Sequence, residues 1–307
     1  MRLLLAILAL PSLALAWEPL AIRSEPVRMG SQEVGVAKLV AGIELRSSDR
    51  RFGGISGLIR GPSGALLAVS DAGALLRFRE RREGGALVGV EGGEWLALHG
   101  PDGGVHGRGR GDAEELQLLP DGRILVAYEH AHRLAVIGPE SGLLTHVEAP
   151  FQSPEQLKDA PRNGGVEAMV ALRGGAVFAI REKPLDAFGH HAAWLVPAMP
   201  FGAPSRPVEV VAYVTADGFQ PTALAERADG SLLVLERRYR VTDGIAARLS
   251  RLARPGARPE VIGTLRPDQP CDNFEGLWLE GRRALLISDD NFNPTQRTYL
   301  LELLLPE

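Results

Sequence analysis

The sequence predicts an all-β fold, a β-propeller of four-stranded blades with five blades favoured and the ring closed by strands from near both chain ends. Two observations carry this expectation. Five segments repeat one pattern, a short strand, a glycine turn and a second strand rich in Leu, Val and Ile, with spacings of 58, 53, 55 and 53 residues. A period near ~50 residues suits a four-stranded blade better than a helical repeat. No segment sustains the 3.6-residue apolar period of an amphipathic helix, so helix content should be low.

The first repeat runs Gly54-Ile-Ser-Gly-Leu, then Pro62-Ser-Gly to Asp71. The second is Ala113-Glu-Glu-Leu, then Pro120-Asp-Gly to Glu129. The third is Val166-Glu-Ala-Met, then Arg173-Gly-Gly to Glu182. The fourth is Pro221-Thr-Ala-Leu, then Ala228-Asp-Gly to Arg237. The fifth is Phe274-Glu-Gly-Leu, then Glu280-Gly-Arg to Asp290. Asp-Gly between apolar runs is a strong hairpin signal, because it supplies positive φ at little steric cost. Outer strands are expected at 133–137 and 143–147, at 192–196 and 208–214, and at 247–252 and 260–265. The fifth repeat has one strand left, 299–305, and its missing outer strand is expected at 34–45. That pairing would leave no free sheet edge at the seam. Six blades are the alternative, if 81–106 holds extra strands. No Pro/Ser linker or charge run divides 17–307, which reads as one domain.

At the N-terminus, Met1-Arg2, the apolar run Leu3–Leu10 and Ala14-Leu15-Ala16 have the form of a signal peptide spanning 1–16. The run is far shorter than the roughly 20 residues of a membrane span. The expected product is a soluble protein of the periplasm or extracellular space. The chain carries 34 basic and 38 acidic residues, a net charge of −4, which argues against nonspecific nucleic-acid binding. Cys271 is the single cysteine, so no intramolecular disulfide can brace the fold, and a small buried hydrophobe is its expected role.

The repeat also places charge. In a propeller the innermost strand of each blade lines the central channel. The anchors that begin those strands are Ser56, Glu114, Glu167, Thr222 and Glu275. The residue that ends each second strand, on the same rim, is Asp71, Glu129, Glu182, Arg237 or Asp290, with Glu236 and Asp289 adjacent. Carboxylates gathered so closely repel one another and need cations, arginine partners or protons. An oxygen-rich cluster favours Ca²⁺ or another hard divalent cation, with Asp71, Glu129, Glu182, Asp289 and Asp290 as candidate ligands. The competing reading makes the same carboxylates structural clasps between blades.

Asp272-Asn-Phe-Glu-Gly-Leu277, followed by Ile287-Ser-Asp-Asp-Asn-Phe-Asn-Pro-Thr-Gln-Arg-Thr-Tyr-Leu-Leu-Glu302, resembles the C-terminal signature of the phytase-like family called "esterase-like activity of phytase". Gly111-Asp-Ala-Glu-Glu-Leu with Ala127-Tyr-Glu129, and Gly165-Val-Glu-Ala-Met, resemble its earlier repeats. The resemblance covers roughly 52–302 and implies a phosphoesterase-type site on the acidic positions. Ser56 and Thr222 depart from it, standing where other repeats carry Glu. The Asp-rich motif of calcium-dependent propeller phytases is missing, and lysines that would suit a polyanion are few.

Other motifs are weak. Gly54-Ile-Ser56-Gly57 lacks the final glycine of a nucleophile elbow, since Leu58 stands there. Gly103–Gly111, with Arg108 and Arg110, lacks the strand–loop–helix setting of a phosphate loop. His130, His132, His190 and His191 match no zinc spacing and are expected to be surface or loop residues. Two functions follow. One is a metal-assisted phosphoester hydrolase acting through Glu114, Glu167, Glu275 and Arg237 on a small phosphorylated or anionic ligand. The other is a noncatalytic ligand- or protein-binding propeller. Oligomeric state has no signal in the sequence.

Overall fold

The computed structural model describes residues 17–102, 104–106, 111–138, 149–151, 153–157, 159–198 and 207–306. Residues 1–16, expected as a signal peptide, the outer strand expected at 143–147, and Arg108 and Arg110 lie outside them. Five antiparallel sheets stand around a channel. Their innermost strands are Ile55–Arg60, Ala113–Leu118, Val166–Ala171, Gln220–Glu226 and Asn273–Glu280, and each neighbours the next until the fifth meets the first. Residues 81–106 hold no sixth blade. Ala86–Ala97 is the outer strand of blade one, paired with Ala74–Glu83. No helix among the described residues is long and apolar enough to cross a membrane.

The second strands Leu66–Ser70 and Ile124–Tyr128 are buried along their whole length, and the apolar runs of the other three are buried as well. Each is covered on both faces by neighbouring blades, so its sequence reads as a continuous apolar run rather than an alternating one. The core is correspondingly divided into five clusters, one per interface between blades. Ile43, Leu300 and Ile287 of blade five pack with Ile55, Leu66 and Phe78 of blade one. Tyr128, Leu116 and Val126 of blade two meet Val69 and Leu75 of blade one. Cys271 packs beside the blade-four and blade-five cluster, and burial pushes its thiol up to about 12. At physiological pH it is a thiol, not a nucleophile.

The seam forms as the sequence predicts. Ala37–Arg46 pairs antiparallel with Thr298–Leu304 as the outer strand of blade five, for example Ile43 with Leu300. The N-terminal segment adds more than this strand. Glu18–Pro19 extends blade one, pairing with Trp95 and Glu94. Arg23–Pro26 extends blade five beyond Ala37–Arg46. The turn at Val34–Gly35 presses on blade four, where Val36 N–H donates to the Ile262 carbonyl at 3.0 Å. A Cβ added at Gly263 would lie 1.9 Å from the Val34 carbonyl oxygen. Gly263→Ala should therefore cost about 1–3 kcal/mol by overpacking. Gly174→Ala, which meets nothing within 4 Å, should be near neutral in the same thermal unfolding experiment.

Candidate functional site

All five anchors share one backbone device. In each blade the ladder between the first and second strands skips a single residue, and the skipped residues are Ser56, Glu114, Glu167, Thr222 and Glu275. A bulge of this kind leaves its extra residue out of the pairing and re-aims its side chain. Here Ser56, Glu114, Glu167 and Glu275 turn toward the channel, whereas Thr222 donates its hydroxyl to the Phe274 carbonyl of blade five at 2.9 Å. The residue facing each bulge from the second strand completes the ring. In blades one to four it is Asp71, Glu129, Glu182 and Arg237.

In blade five that position belongs to Asp289. Its hairpin is one residue shorter than that of blade two: Glu280 pairs with Arg283 across two residues, whereas in blade two Leu119 N–H donates to the Arg123 carbonyl across three. Asp289 lines the central cavity. Asp290 is spent elsewhere. It accepts hydrogen bonds from Gly54 N–H and Phe292 N–H, both at 3.0 Å, and from the Thr298 hydroxyl at 3.2 Å. It thus holds blade five to blade one.

The cavity has a volume of about 410 Å³ and an almost wholly polar lining. Asp71, Glu114, Glu129, Glu167, Glu182, Glu275, Asp289 and Arg237 all face it. Asp112, Asn163, Gln220 and Asn291 also line it, and so does His130, which the sequence reading set aside as a surface or loop residue. Asp112 and His130 had a usable signal, since they sit immediately beside repeat positions already marked, in Asp112-Ala-Glu114 and Glu129-His130.

Arg237 of blade four sits between the anchors of blades three and five. Its Nε lies 3.3 Å from Glu275 Oε1, and its Nη2 lies 3.9 Å from Glu167 Oε2. Burial works against its charge, but Glu275, Glu167, Glu182 and Asp289 together hold its pKa above the ordinary value. Glu275 also accepts a hydrogen bond from Asn273 Nδ2 at 2.8 Å. Glu182 is paired with Lys183, whose Nζ lies 3.1 Å away. Asp289 accepts from Asn291 N–H at 2.7 Å.

One arginine does not neutralise this ring. Burial pushes Glu114 well above the carboxylate range, and the charges of Glu167, Glu275, Asp112 and Glu129 push it further. Burial does the same to Glu167, with Glu182 adding to it and Arg237 opposing. Asp289 is raised by burial and by Glu275. Glu275 is raised by burial despite Arg237. Glu115, the neighbour of an anchor, faces away from the cavity between blades. Burial raises it well above its ordinary value, and its Oε2 has no hydrogen-bond partner among the described residues.

Asp112, Glu129 and His130 each offer one ligand atom, and the three atoms lie within 4.8 Å of one another, so this group can hold a metal ion. The wider ring offers only carboxylate oxygens, a donor set that suits hard cations. The other histidines are engaged elsewhere. His132 Nε2 pairs with the Pro161 carbonyl at 2.9 Å, His191 Nδ1 with the Glu182 carbonyl at 2.9 Å, and His190 Nδ1 lies 3.3 Å from Asp186.

No curated protein sequence matches the chain. Among solved structures, the chain is similar to a PQQ-bound aldose sugar dehydrogenase from Streptomyces coelicolor, with a TM-score of 0.48 and 13% identity over 94% of this chain and 100% of that one. It is also similar to a virginiamycin B lyase from Staphylococcus aureus solved with quinupristin, with a TM-score of 0.46 and 12% identity over 93% and 100%. At such identities neither protein's chemistry transfers. The phytase-like family profile, described as "Esterase-like activity of phytase", matches residues 50–292. With that match spanning all five inner strands and the acidic ring they present, the chain belongs to the phytase-like family.

Proposed function

We propose that this protein is an exported phosphoester hydrolase whose central cavity acts on a small phosphorylated ligand with the help of a divalent cation. The observation behind this reading is the convergence of bulge-borne Glu167 and Glu275, with Glu182 and Asp289, on the Arg237 guanidinium in a polar cavity of about 410 Å³ that Glu114 also lines. A cation bound among these carboxylates, Ca²⁺ or another hard ion, would supply positive charge to a phosphoryl oxygen. Asp71, Glu129, Glu182 and Asp289 face the space it would occupy, whereas Asp290 is committed to its blade contacts and has no part in it.

The chain's own groups divide the remaining work. Arg237 orients a phosphoryl group and meets its negative charge. Glu167 and Glu275 fix the guanidinium from either side. Glu114 is the anchor glutamate with no ion pair to a cation, and its raised pKa suits a general base. It takes the proton of an attacking water as the new P–O bond forms and the ester P–O bond breaks; the leaving oxygen takes a proton from solvent water, to which Glu114 afterwards releases its own. Export rests on the leader-like segment that ends Ala14-Leu15-Ala16.

The ion pairs of Arg237 with Glu167 and Glu275 favour a second reading, a noncatalytic binding propeller with carboxylate clasps. Glu167→Gln and Glu275→Gln separate the two, since Gln keeps shape and removes charge. If the site is hydrolytic, either change abolishes turnover on a panel of phosphomono- and phosphodiesters assayed with and without Ca²⁺, while the fold persists. If the residues are clasps, each change costs about 1–3 kcal/mol of stability, and specific activity per folded molecule is unchanged.

A further inference from the structure

We propose that Asp112, Glu129 and His130 form a site for one first-row transition dication, of which Zn²⁺ is the representative, at the blade-two side of the cavity. The ion's use in hydrolysis rests on the reading above, but its binding does not. The donor set differs from the rest of the ring by one imidazole nitrogen. Nitrogen ligands favour transition ions over Ca²⁺, and two carboxylates with a histidine leave open positions for water.

The histidine is arranged as a ligand. His130 Nε2 lies 3.2 Å from Asn163 Oδ1, and an amide oxygen can only accept. Nε2 is directed to Asn163, which leaves Nδ1 to meet a cation on the Asp112 side. Fixing one ring nitrogen through an outer hydrogen bond is how proteins set the tautomer of a metal-binding histidine. Nδ1 is itself buried and has no hydrogen-bond partner among the described residues. Yet it stands 2.9 Å from Asp112 Oδ2. A carboxylate oxygen and an imidazole nitrogen at that distance need a cation between them, either a proton or a metal ion. Their separation is close to the ~3 Å edge expected for ligands about 2.0–2.1 Å from a common ion.

Glu129 supplies the third donor. Its Oε1 accepts Gly165 N–H at 3.2 Å, which fixes the side chain; its Oε2 lies 3.6 Å from His130 Nε2, and one carboxylate oxygen comes within 4.8 Å of a ligand atom of each of the other two residues. Glu129 is 6% exposed, so a charge placed there is drawn to a counter-ion rather than to water. The backbone holds the imidazole in place at a cost. His130 has φ of +57°, a left-handed conformation uncommon outside glycine, between Glu129 and Ala131.

Titration calorimetry of the chelator-treated protein with Zn²⁺, and the visible absorption of bound Co²⁺, test the site without any assay of turnover. One Zn²⁺ per chain is expected. His130→Ala and Asp112→Asn should each weaken it at least tenfold and remove the Co²⁺ bands. Asn163→Leu acts only through the histidine and should weaken it about tenfold, in the range for loss of an outer-shell partner. His132→Ala should change nothing. Circular dichroism confirms the fold of each variant, and His130→Gln replaces any alanine variant that does not fold. Absence of Zn²⁺ binding, equal affinity in His130→Ala, or dependence on His132 instead would overturn the site. Zn²⁺ bound as expected with no phosphoester turned over would sink the hydrolase reading and leave the site standing.

Discussion

Arg237→Met should lower the unfolding free energy of the cation-free protein at neutral pH by about 3 kcal/mol. That is the low end for removing one partner of a buried ion pair, because a quarter of the arginine side chain faces channel solvent. The loss comes from what remains. Glu167 and Glu275 stay 8% and 6% exposed, now with no cation beside them, and each is already held above the ordinary carboxylate range by burial. Two consequences separate this from ordinary packing loss. Lowering the pH should recover most of the stability, because protons replace the guanidinium. A saturating dication should recover part of it at neutral pH by binding the native state. Chemical unfolding of the variant and the parent, at two pH values with and without Ca²⁺, measures all three. A loss that neither acid nor cation reverses would mean that the methionine had disrupted packing.

The parent protein, stripped of cations, should itself become less stable as the pH rises above about 4. Glu114, Glu115, Glu167, Glu275 and Asp289 all have folded-state pKa values raised by burial. In the unfolded chain they ionise near the ordinary value of about 4. Between that value and the raised one the folded state holds more protons, so stability falls with pH. Each group contributes a slope of up to about 1.4 kcal/mol per pH unit over its window. Asp229, lowered to about 2 by its Ser231 hydrogen bonds, adds stability only as the pH rises through about 2–4. His191, lowered by burial, adds some stability as the pH approaches about 6.5. Asp49, Glu80, Asp121, Asp186 and Asp243, also lowered, act like Asp229 only below about 4, so neither these nor His191 offsets the raised carboxylates, which Glu129 joins. Thermal unfolding in chelator from pH 4 to 8 should show the decline, and a dication should flatten it. A midpoint that climbs steadily from pH 5 to 8 without cations would contradict the raised values.

Much of this was legible in the sequence because a propeller repeats its instructions. The anchor spacing exposed the blades, and the one strand missing from the fifth repeat pointed to 34–45. The bulges were not legible as bulges. A ladder that skips one residue leaves no mark in a single sequence except that the same position, occupied by Ser56, Glu114, Glu167, Thr222 or Glu275, keeps drawing polar residues into an apolar strand. The choice between Asp289 and Asp290 turned on one loop residue. Counting from Glu275 at the common interval lands on Asp290, because the interval includes a hairpin that is shorter only in blade five. His130 was passed over because metal-ligand spacing is a local test, while its partner Asp112 lies a whole hairpin away and Asn163 lies in the next blade's approach.

The seam sets the order in which the molecule can be put together. Ala37–Arg46 is a ten-residue strand whose inner neighbour, Thr298–Leu304, lies at the far end of the described chain. The intervening blades are built from hairpins and can assemble locally as they emerge, but this pairing bridges most of the sequence. Long-range strand pairing is slow, because the chain entropy of closing the loop is lost before the contacts form. Until the final strand arrives, the early one presents an unsatisfied edge with alternating buried positions such as Leu39, Ile43 and Leu45, the kind of surface that recruits other chains. Assembly is therefore a race in which nascent molecules are most vulnerable to one another just before the ring locks, and any helper that shields 37–46 during that interval would raise the yield without touching the finished structure.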